Sequence, residues 1–188
     1  MPAEIPKSVP DFPSGQYQPR WFHFLELGVQ RLHDLLKLRQ DVFVVEQKCA
    51  FDEIDGRDPA AHHLLVFDRA ETLAGCCRVI PPQPLRQIAP VEEDDHAASI
   101  GRVVVARQAR GTGIGHLLMK AAVRYCREHF PEKTLHVAAQ AHLEEFYAQH
   151  GFAVIGSPYD EDGIPHVTMT MKTVTATDDG PPDATNPN

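Results

Sequence analysis

The sequence predicts an α/β fold of the mixed-sheet (α+β) kind, with about seven strands and three helices. Short apolar stretches typical of strands outnumber the stretches with helical spacing. The helical stretches follow the first, fourth and fifth strands, and this order argues against strict βαβ repetition. A chain of 188 residues that is 43% hydrophobic can also bury one sizeable core. We therefore expect a single domain built around one sheet.

The two ends of the chain are predicted to lie outside this domain. Residues 1–20 hold five of the 16 prolines and show no hydrophobic period, and the tail 173–188 has a similar composition. Segments of this kind rarely bury enough apolar surface to order themselves. We expect a disordered N-terminal arm at 1–20, a folded unit at 21–172, and a disordered C-terminal tail at 173–188.

Hydrophobic spacing and turn residues place the elements of the domain in order. Alternation predicts strands, and recurrence every three or four residues predicts helices. The prolines between 81 and 90 predict an irregular, exposed loop. In chain order, the other predicted elements are a strand at 21–27, a helix at 29–45, a polar loop at 46–63, a hairpin of strands at 63–68 and 72–80, a strand ending at 105, a helix from about 113 to 130, a strand at 134–139, a short helix closed by Gly151, and two strands at 152–155 and 166–171 separated by turns at 158–165.

A glycine-rich turn at 107–115 is the part of the sequence that predicts binding. Val103–Val105 form a β-branched run suited to a strand buried on both faces, and helical spacing follows the turn. Gly111, Gly113 and Gly115 leave the turn nearly bare of side chains, so successive backbone N–H groups can face one concavity. A helix beginning near Gly113 adds unpaired N–H donors and the positive end of its dipole. The turn therefore predicts an anion site suited to phosphate.

The residues around the glycines distinguish between three anion-binding motifs. Arg110 can pair with a phosphate oxygen from the rim, with Arg107 or His116 assisting. A P-loop requires a Lys followed by Ser or Thr, but His116 and Leu117 follow the last glycine. A dinucleotide fingerprint requires Gly or Ala at position 116, where His116 stands. The remaining pattern is Arg110-x-x-Gly113-x-Gly115 directly after an apolar strand.

This pattern resembles the acetyl-CoA pyrophosphate loop of the GCN5-related N-acetyltransferases (GNAT). The order of the elements and the segment 146–152, FYAQHGF, extend the resemblance over about residues 21–172. Residues 38–47 and 52–56, together with His62, are similar to the ElaA-like branch of this superfamily. The resemblance implies the acyl-CoA N-acyltransferase fold, with helices on both faces of the mixed sheet.

The resemblance also implies that the fourth strand splays from the fifth. It implies acetyl-CoA as co-substrate, with its pantetheine arm lying along the fourth strand and pairing with the backbone of that strand. Without the glycine turn, the valine run would equally well suit a core strand. Gln140 stands where relatives often carry an Asn that touches the cofactor, and it offers the same amide on a longer stem. The residues predicted to contact the cofactor are Val103, Val104, Val105, Arg110, Gly111, Thr112, Gly113, Ile114, Gly115, His116 and Gln140.

Acetyl transfer to an amine needs a neutral nitrogen, donors for the developing oxyanion, and a proton for the departing thiolate. Tyr147 matches the family tyrosine that protonates or hydrogen-bonds the sulfur, so it is the predicted general acid. The alternative interpretation is that Tyr147 is an aromatic residue of the core. The start of the fourth strand lacks the carboxylate that serves many relatives as general base. The candidates for the general base are Glu46, Glu53 and Asp55, of which Glu46 and Asp55 are the tentative bases. The other interpretation is that these acids belong to a loop that is simply solvated.

The sequence thus predicts an N-acetyltransferase that acetylates a primary amine of a cationic acceptor, either a small molecule such as a polyamine or aminosugar, or a protein. The alternatives are a non-catalytic acyl-CoA-binding or regulatory module and a nucleotide-phosphate binder. A net charge of −8 argues against nucleic acid as a partner. We expect no metal site, because His62 and His63 diverge in a strand, and no membrane segment. A cytoplasmic location is expected, and the oligomeric state is open, a homodimer included.

Overall fold

The computed structural model describes residues 16–48, 52–82 and 97–173, which form one seven-stranded sheet. The strand order is β1-β2-β3-β4-β5-β7-β6, and β4 and β5 are parallel while all other neighbours are antiparallel. The mixed sheet predicted from the sequence is therefore confirmed. Its elements are β1 (Tyr17–His23), α1 (Gly28–Arg39), β2 (His62–Asp68), β3 (Leu73–Ile80), β4 (Ala98–Val105), α2 (Ile114–His129), β5 (Thr134–Gln140), α3 (Glu144–Ala148), β6 (Ala153–Glu161) and β7 (Ile164–Lys172).

Helices cover both faces of the sheet, as the resemblance implied. On one face Leu118 of α2 packs with Leu64 and Cys77, within a cluster that extends across the sheet. On the other face Leu35 of α1 belongs to a second cluster that includes Cys76. Successive strand residues thus face opposite cores, as the period of two requires. The central strands β2 and β3 are buried almost throughout because both of their faces are covered.

The first strand lies earlier in the chain than predicted. β1 begins at Tyr17, within the predicted arm, and it ends at His23, where a 3-10 turn starts. Its register runs from Tyr17 opposite Asp68 to His23 opposite His62. Pro19 is tolerated because β1 is an edge strand and need not donate on its outer side. The rest of the arm and nearly all of the tail lie outside the described residues.

The prediction of turns throughout 158–165 was wrong. β6 continues to Glu161 and β7 begins at Ile164, so only two residues connect them. Pro158 fits because β6 is the other edge of the sheet, where its pairing with β7 is irregular between Ile155 and Tyr159. Pro165 fits because it lies beyond the pairing of β5 with β7, which ends at His166.

Two further elements shape the site. The predicted helix at 29–45 is α1 followed by π-helical turns at Gln40–Glu46, a feature frequent at functional sites. The predicted polar loop contains a 3-10 turn at Asp58–Ala60, whereas the predicted proline loop falls mostly outside the described residues. Among the helices that the structure describes, none is long and apolar enough to cross a membrane.

Candidate active site

The site opens where β4 and β5 separate. These two parallel strands pair only at Ala98 with Leu135 and at Ser99 with His136. Further along β4 the register against β3 shifts, and Arg102 adopts a left-handed backbone conformation with φ of 52°. This is a β-bulge, and a bulge bends its strand away from a neighbour. The separation leaves a wedge whose β4 side presents backbone polar groups.

The valine run borders this wedge. Val104 is buried under α1, whereas Val103 and Val105 are only partly buried. The expectation that the strand would be buried on both faces was therefore wrong for this part of β4, where Val103 and Val105 pack against the larger core cluster but stay partly exposed. Val103 lines the wedge, and this position fits the predicted role of the strand along a cofactor.

The glycine turn lies directly before α2, and two of its glycines have left-handed backbone conformations. Gly111 has φ of 75° and Gly113, the N-cap of the helix, has φ of 84°. These conformations disfavour residues with a Cβ, although no atom occupies the space where either Cβ would lie. The hydroxyl of Thr112 donates to the carbonyl of Ala109 at 2.7 Å and holds the turn.

The N-terminal end of α2 has backbone N–H groups that can donate to an anion. Leu117 N donates to the carbonyl of Gly113 at 3.1 Å and is the first such bond of the helix. The N–H groups of Ile114, Gly115 and His116 therefore have no intrahelical partner, and the helix dipole adds a partial positive charge there. The His116 ring turns toward α3 instead, where its Nδ1 lies 3.0 Å from Nε2 of His150.

Glu46 lies against Arg107 and Arg110, the two arginines that precede the glycines. Its carboxylate receives two bonds from Arg110, at 2.7 and 3.1 Å, and one from Arg107 at 3.1 Å. These hydrogen bonds and charges lower the pKa of Glu46. A carboxylate held by two guanidinium groups is a poor proton acceptor, and Glu46 does not line the cavity beside Tyr147. Both facts argue against its predicted role as base.

A cavity of about 150 Å³ lies in the wedge itself. It brings together three of the predicted residues, namely Val103 of β4, Gln140 at the end of β5, and Tyr147 of α3. Tyr147 is 8% exposed, and its burial raises the pKa of the phenol to about 12. It therefore keeps its proton at neutral pH and can donate a hydrogen bond. Gln140 Nε2 donates to Oε1 of Gln47 at 3.1 Å, which fixes its amide at the mouth.

A network of ion pairs that includes Asp55, Arg78 and Arg102 lies next to this cavity. Asp55 receives bonds of 2.6 and 2.8 Å from Arg78 and one of 3.2 Å from Arg102. Burial alone would raise the pKa of Asp55, but the bonds from Arg78 and the charge of Arg102 outweigh it and hold the pKa well below the ordinary range. The second tentative base is therefore also committed to arginines.

The same network fixes the loop that carries these acids. Arg39 of α1 is fully buried and binds Glu53 at 2.5 Å and Asp58 at 2.9 Å. Asp58 also binds Arg78 of β3 at 2.9 Å. Sequence analysis missed these pairs, because nothing in the spacing distinguishes a buried arginine from a solvated one. Their effect is to attach the loop to both a helix and the sheet.

A wider groove of about 600 Å³ adjoins the cavity and shares Gly101, Arg102, Ala138, Glu161 and Asp162 with it. Asp52 and His136 also line this groove. His166 of β7 lines the smaller cavity, and sequence analysis placed it only at the start of a strand. The cavity and the groove therefore lie side by side along these shared residues.

The fold and this site define a class, the acyl-CoA-dependent N-acyltransferases. A family model described as an acetyltransferase (GNAT) domain matches residues 43–173, and the chain belongs to this family. The crystal structure of an acyl-CoA N-acyltransferase from Pseudomonas aeruginosa superposes with a TM-score of 0.73 at 35% identity, covering 82% of this chain and 99% of that one.

Within GNAT the chain belongs to the ElaA-like branch. Protein ElaA of Escherichia coli is 37% identical over 156 residues, which are 82% of this chain and 95% of that protein. Its crystal structure superposes with a TM-score of 0.71, covering 82% of this chain and 99% of that one. A UPF0039 protein of Synechocystis is 36% identical over 81% of this chain and 93% of its own length.

Proposed function

We propose that the protein is an N-acetyltransferase that moves the acetyl group of acetyl-CoA to a primary amine of a cationic acceptor. The observation that carries this proposal is the wedge between β4 and β5, because Val103 and Tyr147 line its cavity and β4 leads directly into the glycine turn before α2. A linear cofactor with a phosphate group and a distant thioester matches this layout.

The cofactor contacts follow from the layout. The N–H groups that begin α2, with the side chain of Arg110, would bind the pyrophosphate. The backbone of Val103–Val105 would pair with the pantetheine amides as a strand pairs with a sheet edge. Gln140 would hold the arm near the thioester. Glu46 must release Arg110 to phosphate, because one guanidinium cannot satisfy both anions fully.

The chemistry requires two groups around the thioester. A backbone N–H near Val104 or Val105 would stabilise the oxyanion that forms when the amine attacks the carbonyl. Tyr147 would donate to the departing sulfur. Neither Glu46 nor Asp55 is assigned as base, because each is held by two arginines.

The acceptor would enter by the wider groove. Asp52, Glu161 and Asp162 line it together with Arg57, while the charge of Asp55 is balanced by Arg78 and Arg102. The unbalanced charges are therefore mainly acidic and attract an ammonium group. This supports a cationic acceptor over a neutral or acidic one.

The test combines binding with turnover in the full chain. Calorimetry should detect acetyl-CoA binding, and a thiol assay should detect CoA release with spermidine, glucosamine or a lysine peptide. Arg110→Ala should weaken binding by about tenfold through loss of a charged phosphate contact. Arg127→Ala, which removes the same charge from the exposed last turn of α2, should not.

A wild-type protein that binds no acetyl-CoA at millimolar concentration would refute the proposal. The second candidate, a non-catalytic acyl-CoA-binding module, is favoured by the lack of a carboxylate at the start of β4. Tight binding with no CoA release from any acceptor would establish that alternative.

A further inference from the structure

We propose that His166 is the proton acceptor that converts the acceptor's ammonium group into the attacking amine. This inference rests on the proposed N-acetyltransferase function and supplies the base that the two predicted carboxylates do not provide. It arises from the position of one imidazole ring and the hydrogen bond that fixes its tautomer.

The ring lies where the acceptor nitrogen must arrive. His166 lines the same cavity as Tyr147 and Val103, and its side chain is 13% exposed. β7 places it opposite Gln140, at the end of β5 where the wedge is widest. The imidazole is thus largely sheltered from solvent and borders this cavity.

One hydrogen bond determines which ring nitrogen carries the proton. Nδ1 of His166 lies 2.9 Å from the backbone carbonyl oxygen of Ile164. A carbonyl oxygen only accepts, so the neutral ring must carry its proton on Nδ1. Nε2 is then the unprotonated nitrogen and the natural proton acceptor. The ring also stacks on Tyr159, with centroids 5.9 Å apart, which limits its rotation.

The charged groups near the ring are mostly acidic. Oε2 of Glu161 lies 3.9 Å from Nδ1. Asp162, at the turn between β6 and β7, lines the same cavity. Arg102 from β4 is the opposing charge there, but it is paired with Glu53 and Asp55. From the remaining elements, Tyr159 of β6 stacks on the ring and Tyr147 of α3 lines the same cavity.

The step balances as a simple proton transfer followed by acyl transfer. Nε2 takes one proton from the ammonium, and the freed lone pair forms the C–N bond at the thioester carbonyl. The C–S bond then breaks while Tyr147 donates a hydrogen bond to the sulfur. The second proton of the nitrogen neutralises the thiolate, and the imidazolium returns its proton to solvent. The products are an amide, a thiol and one proton.

The experiment compares His166→Gln with wild-type protein, using CoA release from acetyl-CoA with spermidine as the probe. His33→Gln, on the exposed face of α1, is the matched control. We expect His166→Gln to lower kcat/KM by about 100-fold and to remove the decline of rate toward low pH. Acetyl-CoA affinity should stay within about twofold of wild type, and His33→Gln should leave both parameters unchanged.

A second probe separates proton removal from a structural role. Trifluoroethylamine is a weak base that is already neutral at pH 7, so it needs no proton acceptor. The deficit of His166→Gln should shrink to a few-fold with this amine. An equal deficit with both amines, or a pH profile identical to that of wild type, would overturn the assignment.

The tautomer can be measured without any acceptor. Nitrogen-15 NMR of wild-type protein should show His166 protonated on Nδ1 and not on Nε2 when neutral, with the assignment made from the missing signal in His166→Gln. The reverse tautomer would overturn the proposal even if turnover falls in the variant. Lack of acetyl-CoA binding to wild-type protein would instead overturn the proposed function, and the role of His166 with it.

Discussion

Replacing Tyr147 with Phe tests how the leaving sulfur is stabilised. Burial raises the pKa of this phenol to about 12, whereas a thiol titrates near 8.5. At about 1.36 kcal/mol per pH unit, complete proton transfer from the phenol to a thiolate is uphill by roughly 5 kcal/mol. Tyr147 should therefore act as a hydrogen-bond donor that keeps its proton. A hydrogen bond to a charged group is worth about 1.5–3 kcal/mol.

Loss of that bond corresponds to a fall in kcat of about 10- to 100-fold for Tyr147→Phe. Acetyl-CoA affinity should change less than about twofold, because the thioester is uncharged before reaction. Stopped-flow measurement of CoA release and calorimetry measure the two quantities on one preparation. A loss of about 10⁴-fold would show that full proton donation controls the rate and refute the reasoning from the raised pKa. Unchanged turnover would remove Tyr147 from the mechanism.

Three further predictions concern binding and stability. Glu46→Gln should strengthen acetyl-CoA binding by about two- to fivefold in calorimetry, because the neutral amide no longer competes for Arg110; weaker binding would mean that Glu46 holds Arg110 in place for phosphate. Gly75→Ala should lower the melting temperature by about 3–8 °C, since its Cβ would lie 3.0 Å from a carbonyl oxygen of β4 and 3.1 Å from a side chain of α2. Gly101→Ala, which meets no atom within 4 Å, is the control and should melt with wild type. Burial, with the charges of neighbouring histidines, lowers the pKa of His62 to about 4. As the pH falls, His62 therefore binds a proton in the unfolded chain before it does so in the folded chain. The contribution of His62 to stability should therefore be fully present above about pH 6.5 and decline by about 3 kcal/mol as pH falls to 4; urea unfolding of His62→Gln should lack this part of the slope.

The sequence was most informative where function depends on local backbone. The glycines before α2 and the change from strand to helical spacing both act within a few residues, so Gly111, Gly113 and the start of the helix could be predicted. The succession of strands along the chain also followed from local alternation. The separation of β4 from β5 came only from the family resemblance, since the bulge at Arg102 leaves no pattern of its own.

Roles set by distant partners could not be predicted. Glu46 and Asp55 looked like bases because they are acids in the right region, but their chemistry is set by Arg110 and Arg78, which lie 64 and 23 residues away in the chain. The turns assigned around Pro158 failed for the same reason, because whether a strand is an edge depends on the whole sheet. His166 was missed because a histidine in an alternating strand has no local mark of function.

The two bridges at Ala98 and Ser99 have a mechanical consequence. They divide the sheet into a block of four strands, β1 to β4, and a block of three, joined side by side only at one end. A molecule that pairs with β4 inside the wedge fills the open seam and acts as a missing strand. Binding of such a molecule would therefore also make the sheet more rigid. The two blocks of strands would have to separate again before that molecule could dissociate.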